Sequence, residues 1–192
     1  SVCLGAEKPL FYGNLIVMGG ACVILAFLYV KRMREGRISG TSFKTCLGIL
    51  RKSRRENTGE IIFFGILLIF ISWTMFYVFH VKDGALYSGF SVFGDYAPHT
   101  AMIRSFSWGN NFPTQYPHFG GEDVKYHFMF QFLAGNLEYL GLRIDIAYNL
   151  ISILALEGFL MMLYMLAARI TGMRRAGVLG IVFFFFRSGT AF

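Results

Sequence analysis

Residues 9–30 read PLFYGNLIVMGGACVILAFLYV, a run of 22 residues without a charged side chain. About 20 apolar residues, each rising about 1.5 Å along a helix, cross the roughly 30 Å hydrocarbon core of a bilayer. Residues 61–79 and 146–168 form two further apolar runs of similar length, the second of which contains Glu157, and a shorter one follows at residues 176–186. The sequence therefore predicts an all-α fold, a polytopic bundle of transmembrane helices with interfacial helices in a long extracytoplasmic loop.

The composition and the placement of charge agree with this fold. Of the 192 residues 55% are hydrophobic, and the mean hydropathy is +0.53. The net charge of +7 would also suit a nucleic-acid-binding protein, but nine of the eighteen Lys and Arg residues lie between Lys31 and Arg55, directly after the first apolar run. Such clustering follows the positive-inside rule. We therefore expect no nucleic-acid partner and place residues 31–59 in the cytoplasm.

The same rule orients the rest of the chain. Arg169, Arg174 and Arg175 follow the third apolar run and place its far end in the cytoplasm, which leaves residues 81–145 on the extracytoplasmic side. We expect an N-terminal helix and basic loop in residues 1–59, followed by a membrane domain in residues 60–192. Its transmembrane helices are predicted near residues 61–80, 146–168 and 176–192.

The extracytoplasmic loop is predicted to contain two helices that lie at the membrane surface. Asp95 is a suitable N-cap for a helix that ends near Trp108, and Pro98 then falls in its first turn. Residues 126–140 form a second apolar helix, which we expect to be interfacial or partly re-entrant. If it spanned the membrane, the basic cluster at residues 169–175 would lie outside. Two segments of the loop are read as irregular, residues 82–93 and 114–125.

Asp95 is the leading candidate for chemistry, because it is an acid at the membrane surface, where a lipid-borne and a water-soluble substrate can meet. The alternative is an ordinary N-cap worth about 1 kcal/mol. Imidazole and carboxylate groups of the same loop suit zinc or manganese, but their spacing matches no compact metal motif, and separate hydrogen-bonding roles are the alternative. These residues are His99, His118 and His127 together with Asp95, Glu122 and Asp123.

Glu157 is the other notable acid, because it lies inside a predicted span. Since a charged acid at a helix centre is costly in a bilayer, it should face the bundle interior or a wet cavity. It then either lies on an ion or proton path or makes a structural hydrogen bond to another helix.

Several short motifs of the loop resemble the first outer loop of bacterial GT-C-type integral-membrane glycosyltransferases. They are Gly94-Asp95-Tyr96 with His99, Met102-Ile103-Arg104-Ser105-Phe106, Gly109-Asn110-Asn111-Phe112-Pro113, Tyr116-Pro117-His118-Phe119-Gly120-Gly121, and Tyr126-His127-Phe128 through Phe132-Leu133-Ala134-Gly135. Ala168-Arg169-Ile170-Thr171-Gly172 resembles the continuation of that family, so the resemblance covers roughly residues 90–192.

The resemblance implies a transferase of the bacterial inner or plasma membrane that moves a sugar from a polyprenyl-phosphate-linked donor to an acceptor on the outer face. It implies that Asp95 acts as the general base or helps to hold a metal, Mg or Mn. The leaving phosphate needs positive charge, which comes either from a metal or from Arg104, Lys125 or Arg143. We also expect substrate contacts from His99, Glu122, Tyr126 and His127.

This chain departs from the family pattern at one informative position. Several branches of the family carry two adjacent acids in this loop, whereas Asp95 is followed by Tyr96, which puts metal dependence in doubt. We expect a chain that represents the N-terminal part of such an enzyme and is inactive alone, with membrane lipids as neighbours and an oligomeric state that the sequence leaves open. Two alternatives remain: a transporter or channel fragment that uses Glu157, and a non-catalytic membrane assembly protein.

Overall fold

The computed structural model describes residues 8–34, 57–89 and 93–186. Within these ranges the chain is mostly helical, with two short strands that the all-α prediction did not include. In chain order the elements are α1 (Pro9–Arg34), α2 (Thr58–Val78), β1 (Phe79–Lys82), β2 (Ala85–Ser88), α3 (Phe93–Ser107), α4 (Met129–Tyr139), α5 (Ile144–Thr171) and α6 (Arg174–Phe186).

Three of these helices are long and apolar enough to cross a membrane, namely α1 with 26 residues, α2 with 21 and α5 with 28. They confirm the three long apolar runs that the sequence predicted. The first predicted span is extended by the basic residues Lys31, Arg32 and Arg34, which form the last turn of α1. Most of the basic loop that the sequence places in the cytoplasm, residues 31–59, lies outside the described residues.

The segment after α2 differs from the prediction, because it is a β-hairpin and not irregular. β1 pairs with β2 in antiparallel register, from Phe79 opposite Ser88 to Lys82 opposite Ala85. The two residues between the strands, Asp83 and Gly84, both have positive φ, at 51° and 77°. Two consecutive left-handed residues form the type I′ turn that matches the twist of a hairpin, and Asp-Gly is a preferred sequence for it.

The start of α5 is joined to this hairpin through two buried polar side chains. The Oδ2 atom of Asp145 accepts a hydrogen bond from the main-chain N–H of Val81 at 3.0 Å. The side-chain amide of Asn149 donates to the main-chain carbonyl of Phe79 at 2.7 Å. Asp145 and Asn149 are both 0% exposed. Asp145 is therefore a buried residue in the first turn of α5. The sequence instead predicted it to be the last residue of the outer loop.

The described elements divide into two compact units. One contains most of α2, the hairpin, α5 and α6, and its apolar core is built from Leu67, Ile71, Ile153, Leu160, Tyr164 and Ile181. In this unit a Cβ atom on Gly177 would lie 2.5 Å from the ring of Tyr164, so only glycine allows this approach. The predicted helix near residues 176–192 corresponds to α6, and residues 187–192 lie outside the described part of the chain.

The other unit contains α1, α3, α4 and the loop between α3 and α4. Near the N-terminal end of α1, Asn14 and Asn136 of α4 exchange two side-chain hydrogen bonds, at 2.8 and 2.9 Å. After Leu10, α1 has no buried residue in this structure. The apolar length of α1 is therefore free to face lipid or further helices.

Helix α4 settles one alternative that the sequence raised. It has 11 residues, about 16 Å at 1.5 Å per residue, roughly half the thickness of the hydrocarbon core. The prediction of a non-spanning helix is confirmed, although the helix begins at Met129, three residues later than predicted.

Candidate functional site

Helices α3 and α4 pack closely enough to form a firm support for the side chains they carry. Met102, Ile103 and Phe106 of α3 are at most 4% exposed, and Ala134 and Gly135 of α4 are also buried. Ile103 and Phe106 lie directly against Gly135. A Cβ atom on Gly135 would lie 2.7 Å from the carbonyl oxygen of Ile103 and 3.0 Å from Cβ of Phe106. The contact between the two helices therefore requires glycine at this position.

Aromatic rings fill the space beside this contact. The ring of Phe106 lies 5.8 Å from Phe112, 6.0 Å from Phe128 and 5.6 Å from Phe132, measured between centroids. Phe112 and Phe132 also contact each other edge to face at 6.1 Å. The cluster joins α3, the start of the loop and α4 into one packed group, with offset and edge contacts that aromatic pairs prefer.

Asp95 lies in the first turn of α3, two residues after the helix begins at Phe93. This corrects the prediction that Asp95 is the N-cap. Its side chain is exposed, and it makes no hydrogen bond or ion pair with any residue that the structure describes. An acid in the first turn is stabilised by the helix dipole. The carboxylate is thus held near the positive end of α3 and has no structural partner in the described ranges.

His99 lies one turn after Asp95 on α3 and is held by a side chain of α4. Its Nδ1 atom is 2.7 Å from the amide of Gln131, which is 1% exposed. The ring of Tyr126 lies 6.3 Å from that of His99 and 3.8 Å from that of His127. The structure therefore brings His99, Tyr126 and His127, three predicted contact residues, to the end of the helix pair that carries Asp95.

Arg104 lies far from Asp95 along α3, and its side chain contacts Glu138 and Trp108. It is nine residues beyond Asp95, about 14 Å along the helix axis. Its Nε atom is 2.8 Å from Oε1 of Glu138, and its guanidinium lies 4.0 Å from the ring centre of Trp108. Ser107 donates a hydrogen bond to the other oxygen of Glu138 at 2.7 Å. In this structure Arg104 neutralises a buried acid, and its predicted role with phosphate stays a prediction.

Glu122 and Lys125 lie in the ordered loop between the two helices. They form an exposed ion pair of 3.1 Å, and exposed pairs of this kind contribute little stability. The side chain of Asn111 fixes the start of the loop, because its amide donates to the carbonyl of Gln115 and its oxygen accepts from the N–H of the same residue. Among the described residues, neither charged side chain forms a hydrogen bond or ion pair with α3, and their predicted substrate contacts stay a prediction.

The predicted metal ligands do not come together. Among the described residues, no three His, Cys, Asp or Glu side chains are grouped so that they could hold a metal ion. Asp95 therefore has no set of metal-ligating neighbours in the described ranges, and the donor set does not fit a Mg or Mn site built from these residues alone. Metal dependence stays a prediction from the family resemblance.

A cavity of about 290 Å³ lies at the opposite end of α3 from Asp95. It is lined by the N-terminal end of α1 and by the residues that follow α3, among them Lys8, Trp108 and Asn110. The cavity is not part of the candidate site, because Trp108, which lines it, is 13 residues beyond Asp95.

Sequence reasoning missed two residues that organise the site, Gln131 and Gly135. Gln131 is 32 residues from His99, so no local spacing links them. Gly135 stands in the motif Ala134-Gly135, and a small pair within an apolar helix is a signal for close helix packing.

Comparison with known proteins yields no relative from which a role can be transferred. No family model, curated protein or solved structure matches the chain. The family resemblance of the loop motifs therefore remains an expectation, and function is proposed from those motifs together with the geometry of α3 and α4.

Proposed function

We propose that this chain belongs to a polytopic membrane glycosyltransferase that moves a sugar from a polyprenyl-phosphate-linked donor to a hydroxyl acceptor. Asp95 is the general base. The single observation that carries the proposal is the exposed carboxylate of Asp95, which caps no main-chain group and pairs with no cation among the described residues. A carboxylate kept on a packed helix without a structural partner is available to a substrate.

The surroundings of Asp95 support a site at the membrane surface. The loop that carries α3 and α4 connects α2 to α5, and both of these helices are candidate spans. The bonded pair Asn14 and Asn136 holds the N-terminal end of α1 against α4, as expected if the N-terminus and this loop lie on the same side of a membrane. The charge pattern favours the extracytoplasmic side.

The chemistry follows from the position of the carboxylate. An acceptor hydroxyl within hydrogen-bond distance of Asp95 transfers its proton to the carboxylate as its oxygen attacks the sugar carbon. The bond from that carbon to the phosphate oxygen breaks, and polyprenyl phosphate leaves with the electron pair. Lys125 and Arg143 are both exposed and are the cations proposed to contact this phosphate.

Donor turnover tests the proposal. The full-length protein, purified in nanodiscs, is incubated with a polyprenyl-phosphate-linked sugar, with and without an acceptor bearing free hydroxyl groups, and the release of polyprenyl phosphate is measured. We expect release that depends on the acceptor, for at least one sugar of a panel. Absence of release across the panel, in protein that inserts normally, would contradict the proposal.

Glu157 favours a second candidate function, ion or proton transport. Its side chain is 7% exposed within the unit formed by α2, α5 and α6, and neither carboxylate oxygen has a hydrogen-bond partner among the described residues. Ionisable groups placed this way in membrane helices commonly mark ion paths. In this case the wild-type protein supports flux into proteoliposomes and Glu157→Gln abolishes it. For a transferase, neither protein raises the flux above the background of empty vesicles.

A further inference from the structure

The side-chain amide of Gln131 has only one orientation that satisfies its neighbours. The carbonyl oxygens of His127 and Phe128 lie 3.2 and 3.3 Å from one end of the amide, and His99 Nδ1 lies 2.7 Å from the other. Because carbonyls only accept hydrogen bonds, the NH₂ group must face them. The amide oxygen then faces His99 and accepts from it.

This orientation fixes the imidazole of His99. Its Nδ1 atom must carry a proton, so in the neutral ring the lone pair is on Nε2. His99 is partly exposed and makes no other hydrogen bond with the residues in the described ranges. Gln131, buried at 1% exposure, therefore keeps Nε2 as a hydrogen-bond acceptor that a ligand can use.

His99 and Asp95 together give one face of α3 a definite chemical character. Residues four apart on a helix have Cβ atoms roughly 5–6 Å from each other, so both groups can reach one small ligand. An ionised carboxylate and a lone pair on Nε2 accept hydrogen bonds and donate none. Such a face suits a neutral ligand with neighbouring hydroxyl groups and disfavours a phosphate.

We propose that Asp95 and His99 bind two hydroxyl groups of one sugar ring, with Gln131 as the residue that positions His99. This inference rests on the proposed function, because it assigns the neutral acceptor to this face and leaves the donor phosphate to another part of the protein. Gln131 acts only through His99 and touches no substrate.

The experiment is long-range ¹H–¹⁵N correlation spectroscopy on ¹⁵N-histidine-labelled protein in nanodiscs, at a pH where the ring is neutral. Methyl glucoside and inorganic phosphate are the two probes. We expect the wild-type His99 signals of a protonated Nδ1 and an unprotonated Nε2, with a shift at Nε2 on adding methyl glucoside and none on adding phosphate. This arm needs no sugar transfer, so it succeeds or fails separately from the transferase proposal.

Variants test the role of Gln131. Gln131→Met removes the acceptor for His99 Nδ1, and we expect both tautomers to appear and methyl glucoside to bind about fivefold to tenfold more weakly. Gln115→Met makes the same change at an exposed side chain of the loop and should leave both readouts unchanged. A wild-type His99 protonated at Nε2, or a response to phosphate and not to methyl glucoside, would overturn the inference. The wild-type measurement decides this even where Gln131→Met fails to fold.

Discussion

At the residue scale, Gly135 determines how closely α3 and α4 can pack. Gly135→Ala places a methyl group 2.7 Å from the carbonyl oxygen of Ile103, so the helices must separate. We expect a loss of about 1–3 kcal/mol in the free energy of unfolding, as for other overpacked contacts. Thermal unfolding followed by circular dichroism measures it. Gly65→Ala is the matched control, because a Cβ atom there meets nothing within 4 Å, and equal behaviour of the two variants would contradict the packing.

Arg104 and Glu138 can be tested as a structural pair by a double-mutant cycle. Arg104→Met leaves Glu138, whose side chain is 6% exposed, without its cation. We expect about 1–2 kcal/mol of destabilisation, since the partial exposure of Arg104 lets water screen the charge. The double variant Arg104→Met/Glu138→Met should lose less free energy of unfolding than the two single variants lose together. An Arg104 that serves only the substrate would instead give unchanged stability in the single variant.

At the scale of elements, the hairpin depends on its two-residue turn. Gly84→Ala places a side chain at φ +77°, a left-handed conformation that costs an L-residue about 1–2 kcal/mol. We expect faster hydrogen exchange at the amides of β1 and β2. Gly120→Ala provides the control, because Gly120 lies in an exposed loop without positive φ. Unchanged exchange in Gly84→Ala would show that the turn does not limit hairpin stability.

The elements also show which parts of the fold and of the candidate site can be predicted from the sequence. The three long helices could be predicted because crossing hydrocarbon demands length and an apolar surface, which composition alone reveals. The hairpin carried a local signal in Asp83-Gly84, but the apolar run through Phe79 hid the strand that precedes it. The bond between His99 and Gln131 had no such signal, because it joins two helices whose packing depends on Gly135. Asp95 could be singled out from the sequence, whereas the side chain that orients its neighbour could not.

At the scale of the whole molecule, the topology predicts which segments meet the outer solution. With the native cysteines replaced by serine, His118→Cys in the outer loop and Ser53→Cys in the basic loop each provide one label site. We expect a membrane-impermeant maleimide to modify intact cells at position 118 only, and position 53 after permeabilisation. Labelling in the reverse order would invert the topology and place Asp95 in the cytoplasm.

The role of Asp95 is the central claim, and one rate comparison tests it most directly. The rate of sugar transfer is measured for full-length wild type, Asp95→Asn and Asp83→Asn at equal membrane insertion, the last being an exposed acid of the same outer loop. Because general base catalysis contributes roughly 10²–10⁴-fold, we predict at least about a 100-fold loss for Asp95→Asn and a rate close to wild type for Asp83→Asn. Full transfer by a correctly inserted Asp95→Asn protein would contradict the account.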